Sequence, residues 1–178
     1  LVEADGAEYV SMEYVDGATL RHVLETRSPL ELSEAREIAL QLLAGLAAIH
    51  ESGLVHRDVK PDNVMLTRAG RVVLMDFGIA KAVAAGGTVA GTPAYWAPEQ
   101  AAGAAADPRA DVFAAGIVLA EMVAPGGVRD MEARTSLWRA VRQDPPDLPD
   151  TPWSEAIRKA VAKDPKERYP SAQSLARA

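Results

Sequence analysis

The chain contains no cysteine. Disulfides, thiolate metal sites and a cysteine nucleophile are therefore excluded, and the composition suits a reducing compartment. No apolar run approaches the length of a membrane span, and the first residues lack a basic stretch followed by an apolar signal core. Positive charge is in deficit: 19 Lys and Arg stand against 25 Asp and Glu, for a net charge of −6 and a pI near 5.1. That balance gives no footprint for nucleic acid and no polybasic patch for a membrane surface. The pattern G-x-G-x-x-G is absent, and no lysine precedes Lys60. What is present is a chain of 178 residues, 48% hydrophobic, enough for one domain with a sizeable core and without a low-complexity charged tail.

The most informative stretch is His56 to Asn63, HRDVKPDN, followed after a short apolar run by Asp76-Phe77-Gly78. Together they supply oxygen anchors and a cation at the spacing that phosphoryl transfer needs. That reaction has a loose, in-line transition state, so a protein serves it by positioning the nucleophile and neutralising charge on phosphate oxygens. Asp58 is suited to accept or orient the proton of a substrate hydroxyl. Lys60 is suited to reach the transferring phosphate as a point charge, and Asn63 and Asp76 offer oxygens to hard Mg²⁺ ions.

These residues resemble the protein kinase family, whose catalytic loop H-R-D-L-x-x-x-N is matched by His56-Arg57-Asp58-Val59-Lys60-Pro61-Asp62-Asn63, with D-F-G and A-P-E following in order. Lys60, two positions after Asp58, is similar to the serine/threonine branch. The tyrosine branch typically has an arginine four positions after the aspartate, where this chain has Asp62. The resemblance therefore implies a bacterial eukaryotic-like serine/threonine protein kinase, using ATP and Mg²⁺ and acting on protein hydroxyls in the cytoplasm. The implied fold is mainly α (α+β): a kinase-like C-terminal lobe with a small N-terminal β-hairpin. A non-catalytic interaction module built on the same lobe is the alternative, disfavoured by intact Asp58, Asn63 and Asp76. A small-molecule phosphotransferase of related fold is disfavoured by Lys60 and Ala97-Pro98-Glu99.

In chain order, Leu1 to Val15 reads as two strands turning at Asp5-Gly6, ending at Asp16-Gly17. By resemblance Met12 guards the back of the nucleotide pocket, and the backbone of Glu13, Tyr14 and Val15 meets the adenine edge. Leu20 to Glu25 is expected to be a short helix. A long helix follows, with Ser33 as N-cap, Glu34 in the first turn and Gly53 as the stop. Its stripe is Ala35, Ile38, Ala39, Leu42, Leu46 and Ile49. His22 and His50 read as structural or solvated. Val64 to Leu66 and Val72 to Met75 form a hairpin around Arg68-Ala69-Gly70, presenting Asn63 at one end and Asp76 at the other beside one phosphate site. Met65 is the implied floor under adenine, and Pro61 is expected to hold the loop extended.

Ile79 to Trp96, rich in Gly and Ala, reads as a loop and resembles an activation segment. The resemblance implies that Thr88 takes a phosphate received by Arg57, and that Thr92 hydrogen-bonds Asp58 and Lys60. His56 and Phe77 are implied structural members of their motifs. Ala110 to Val123 is apolar on nearly every side, as a buried helix is, and Asp111 is implied to accept backbone hydrogen bonds from the catalytic loop. Pro125 to Pro152 reads as irregular with one helical patch near Leu137, Trp138 and Val141. Here Gly126-Gly127-Val128-Arg129 departs from the family's Gly-x-x-Pro-aromatic segment. Ile157, Ala160 and Val161 lie on a helix stopped by Asp164-Pro165. Arg168 matches the arginine that pairs with Glu99, and Ser171 caps a final helix.

The implied division is 1–15 as hairpin and hinge and 16–178 as the C-terminal lobe, with the activation segment at 76–99. The family's pattern is entered partway: without a glycine-rich loop or an earlier lysine, most of an N-terminal lobe is expected to be missing. This chain by itself is then expected to bind Mg²⁺-ATP poorly and to self-associate through the exposed inter-lobe face.

Overall fold

The computed structural model describes residues 2–4, 7–9, 13–76, 93–105, 107–123 and 150–178. Met12, Phe77, Thr88, Thr92 and the patch around Leu137, Trp138 and Val141 lie outside these residues. The architecture is mainly helical with a small antiparallel sheet. Strands β1 (Val2–Ala4) and β2 (Ala7–Tyr9) pair antiparallel, Val2 opposite Tyr9; Asp5 and Gly6 lie outside the described residues. Glu13 to Asp16 carries no regular element, and Tyr14 is 87% exposed.

The chain then enters β3 (Gly17–Thr19), beginning at the Gly17 where the extended structure is expected to end. A three-residue strand exists because an edge is offered to it: β3 pairs with β4 (Val64–Thr67), which pairs with β5 (Val72–Leu74). Gly17 is required there, since a Cβ would meet the carbonyl oxygen of Leu66 at 2.2 Å. The β4–β5 hairpin is the expected one. Its antiparallel pairing, Val64 opposite Leu74, folds the two chain ends together, so Asn63 and Asp76 flank the same open end.

Helix α1 (Leu20–Arg27) runs a little past its expected end, capped by Thr19 Oγ1, which accepts from the His22 backbone N–H at 3.2 Å. Helix α2 (Leu32–Glu51) buries the whole predicted stripe. Its N-cap is Glu31 rather than Ser33, and no side chain caps it. Arg27 of the preceding helix pairs with Glu34 of its first turn at 2.9 and 2.7 Å, on the surface. Gly53, at φ +79°, follows the last turn.

Helix α3 (Pro98–Ala101) and helix α4 (Pro108–Val123) come next. Every residue of α4 from Ala110 to Val123 is buried, because α2 and the C-terminal helices α5 (Ser154–Ala160) and α6 (Ala172–Ala176) pack around it. A helix apolar all round has no other stable place in water. Helix α5 stops at Ala160, four residues before the expected Asp164, which instead caps a 3-10 turn at Pro165–Glu167. Ser171 caps α6, its Oγ accepting from the Ser174 N–H at 3.1 Å.

Candidate active site

The centre of the site is Asp58, and its neighbours are set by the local fold. Lys60 is extended at φ −161°, and Pro61 then opens a 3-10 turn, Pro61–Asn63, instead of prolonging an extended loop. A proline at the first position of such a turn loses no needed N–H. The turn swings Asn63 back: its Nδ2 donates to the Asp58 carbonyl at 2.8 Å and to Asp58 Oδ2 at 3.1 Å. Lys60 Nζ also lies 3.1 Å from Asp58 Oδ2, with the two side chains only 17% and 18% exposed. Carboxylate, ammonium and amide thus converge at a partly exposed point.

His56, fully buried, ties this cluster to the other anchor. Its Nε2 donates to the Met75 carbonyl at 3.0 Å, so Nδ1 is left as an acceptor and takes the Asp58 N–H at 3.3 Å. The Met75 N–H in turn donates to the Asn63 carbonyl at 2.8 Å. Asp76 therefore leaves the sheet beside Asn63, with its carboxylate in solvent. Among the described residues, the two non-glycine positions with positive φ are Arg57 at +68° and Asp76 at +52°, both at this site. Such conformations persist only where the surroundings hold them.

What holds Arg57 is Asp111, at the start of α4 and 1% exposed. Its Oδ1 accepts the Arg57 N–H and its Oδ2 the His56 N–H, each at 2.8 Å. Arg57's side chain is exposed, and among the described residues no carboxylate pairs with its guanidinium. On the far side, Arg168 lies with its side chain fully buried against Glu99 in the first turn of α3, at 2.6 and 2.8 Å. Of the expected nucleotide-facing residues, Met65 is half-buried in mid-β4 between Thr19 and Val73, while Glu13 is exposed and pairs with Arg71 at 3.4 Å.

A second polar cluster was not anticipated. Arg21 of α1 donates to Tyr95 Oη and to Asp62 Oδ2, the latter at 3.3 Å, and Tyr95 donates to Glu121 Oε1 at 2.6 Å. Burial and then the Glu121 carboxylate push the Tyr95 phenol far above its ordinary range, against the opposing pull of Arg21. Burial works against the Arg21 charge, yet Tyr95, Glu121 and Asp62 leave its pKa raised. The cluster joins α1, the Pro61–Asn63 turn, the Pro93–Tyr95 turn and α4. One signal was available: Glu121 is the single charged residue in Val112 to Val123.

The oxygen donors fit Mg²⁺. Asn63 spends its amide nitrogen on Asp58 and keeps its amide oxygen, and Asp76 offers an exposed carboxylate. Among the described residues no cluster of three or more His, Cys, Asp or Glu side chains forms a metal cage. Mg²⁺ suits this sparse set, because it keeps several waters and binds through one or two protein oxygens plus substrate phosphates.

A sequence profile of the protein kinase domain matches residues 1–177. A probable serine/threonine-protein kinase of Streptomyces coelicolor is 42% identical over 182 residues, covering 94% of this chain and 27% of that protein. The serine/threonine-protein kinase PknB of Mycobacterium leprae is 38% identical over 183 residues, 94% of this chain and 29% of that protein. A probable serine/threonine-protein kinase of Clostridium perfringens is 36% identical over 186 residues, 96% and 27% respectively. The chain thus spans under a third of the length of these relatives.

Proposed function

This chain belongs to the protein kinase domain family, and we propose that it carries the catalytic groups for transfer of the γ-phosphoryl of Mg²⁺-ATP to serine and threonine hydroxyls of proteins. Residues 1–15 then form the hairpin and hinge, and 16–178 the lobe that holds substrate. The observation that carries this reading is the convergence of Lys60 Nζ and Asn63 Nδ2 on one oxygen of Asp58, each at 3.1 Å. Held in this way, the Asp58 carboxylate is the group to orient the acceptor hydroxyl. As the hydroxyl oxygen bonds to phosphorus and the bond to the ADP oxygen breaks, Asp58 takes the proton. Lys60, already beside Asp58, meets charge on the transferring group as a fixed cation. Asn63 and Asp76 would hold Mg²⁺, which when bound neutralises charge on the phosphate oxygens. Glu13, Tyr14, Val15 and Met65 would line the adenine side.

Regulation follows from the exposed guanidinium of Arg57, one residue before Asp58. A phosphate on Thr88 would find a cation there, and the charge-assisted pair would tie the activation segment to the catalytic loop. Thr92 would bond to Asp58 and Lys60. The test is to incubate the full-length protein with Mg²⁺-ATP and map the products by mass spectrometry. Phosphate is expected on Thr88, and on serine but not tyrosine versions of one acceptor peptide. Transfer to the tyrosine peptide would overturn the hydroxyl assignment. Nucleotide binding without any transfer would favour an interaction module instead.

A further inference from the structure

We propose that Gln100 is a positioning residue for phosphoryl transfer, acting through the Arg57 carbonyl on the peptide that leads into Asp58. The inference rests on the kinase reading above and assigns a task to a residue that the motif Ala97-Pro98-Glu99 stops just short of. Gln100 is the third residue of α3, half-buried, and both ends of its side-chain amide are engaged. One end lies 3.0 Å from the Ala97 backbone nitrogen and the other 3.4 Å from the Arg57 carbonyl oxygen. A backbone N–H only donates and a carbonyl only accepts, so the amide stands one way, with Oε1 toward Ala97 and Nε2 toward Arg57.

The two contacts serve different ends. The Oε1 contact returns a side-chain acceptor to the N–H of the residue before the helix, one half of a capping box, and belongs to local structure. The Nε2 contact reaches 43 residues back in the chain, to a carbonyl that shares a rigid plane with the Asp58 N–H and points the opposite way. That N–H donates to His56 Nδ1 at 3.3 Å. Both bonds are long, so either alone leaves the plane free to rock. Opposed across it, they fix the rotation from which the Asp58 side chain departs. The donor is also firmly mounted: Ala97 is fully buried, the Gln100 N–H donates to its carbonyl at 2.9 Å, and the neighbouring Glu99 is held by Arg168. The aim of Asp58 is thereby tied to α3, and a misplacement of about 1 Å at a reacting group costs on the order of a hundredfold in rate.

The test compares full-length wild type with Gln100→Glu and Gln100→Met. Glutamate keeps the oxygen that caps α3 and turns the donor into a second acceptor facing the Arg57 carbonyl, whereas methionine loses both contacts at similar length. Three readouts are taken: Tm, hydrogen exchange of the peptide spanning residues 54–60, and kcat with the KM for ATP. Gln100→Glu is expected to keep its Tm within about two degrees of wild type, to exchange that peptide faster, and to lower kcat about tenfold with KM unchanged. Gln100→Met is expected to lower Tm as well as kcat. The inference is overturned if Gln100→Glu exchanges and turns over like wild type, since the side chain is then only a helix cap. It is equally overturned if the Tm of Gln100→Glu falls as far as that of Gln100→Met, since the loss is then one of general stability. Exchange does not depend on turnover. A wild-type protein that transferred no phosphate would sink the kinase reading, while the exchange comparison would still decide whether Gln100 steadies the loop.

Discussion

Replacing Asp76 with asparagine in the full-length protein is expected to lower phosphoryl transfer about a hundredfold or more, with thermal unfolding unchanged. The fold tolerates the change for a specific reason. Asp76 sits at φ +52°, and asparagine is one of the few residues that adopts the left-handed region readily, so the backbone keeps its course beside Asn63. The side chain is exposed and the volume is the same. What disappears is one negative charge from a donor set that holds only one other oxygen side chain, and a hard dication depends on that charge. Turnover measured across a Mg²⁺ titration, beside a melting curve, checks both halves. Wild-type turnover in Asp76→Asn would remove Asp76 from the metal site.

A large loss of stability without any change in chemistry is expected from Arg168→Lys. All five N–H donors of Arg168 are used: Nε donates to the Ala162 carbonyl at 2.7 Å, Nη1 to Glu99 and the Arg109 carbonyl, Nη2 to Glu99 and the Lys163 carbonyl. The guanidinium also lies 4.8 Å from the Phe113 ring centroid. A lysine keeps the charge but has three donors on a point, so it cannot serve both Glu99 oxygens and three carbonyls held in different directions. Two or more of the five buried acceptors are then left without a donor, and at roughly 1–3 kcal/mol for each the expected cost is about 3 kcal/mol. For a chain of this size that is a fall in Tm of about 6–12 °C, read by calorimetry. A Tm within about a degree of wild type would mean that the α3 turn and the C-terminal helices do not depend on this pair.

The parts of the fold that the sequence disclosed are those whose signal is local. The stripe from Ala35 to Ile49, the turn at Arg68-Ala69-Gly70 between two short apolar runs, and the apolar run of α4 each carry their period or their breaker within a few residues. The parts that stayed hidden depend on a distant partner. Strand β3 is three residues long and exists only because β4 offers an edge. Helix α2 starts at Leu32 with no side-chain cap, and the pair beside its first turn joins Glu34 to Arg27 of the preceding helix. In the candidate site, the motif residues could be named from their order along the chain, since Asp58, Lys60 and Asn63 lie within six consecutive residues. The contacts of Arg21, Tyr95 and Glu121 could not, because they run between residues 74 and 26 positions apart in the chain.

The central claim is that Asp58, with Lys60 and Asn63 on its flank, performs the transfer. Single-turnover transfer of labelled γ-phosphoryl to a serine peptide, by full-length wild type and by Asp58→Asn with ATP bound to each, tests it most directly. Asparagine keeps the shape and an oxygen that accepts from Lys60 and Asn63, but it loses the negative charge and cannot take the hydroxyl proton. The account predicts label on the peptide with wild type and a rate near background with Asp58→Asn at equal ATP occupancy. Equal rates from the two proteins would contradict it.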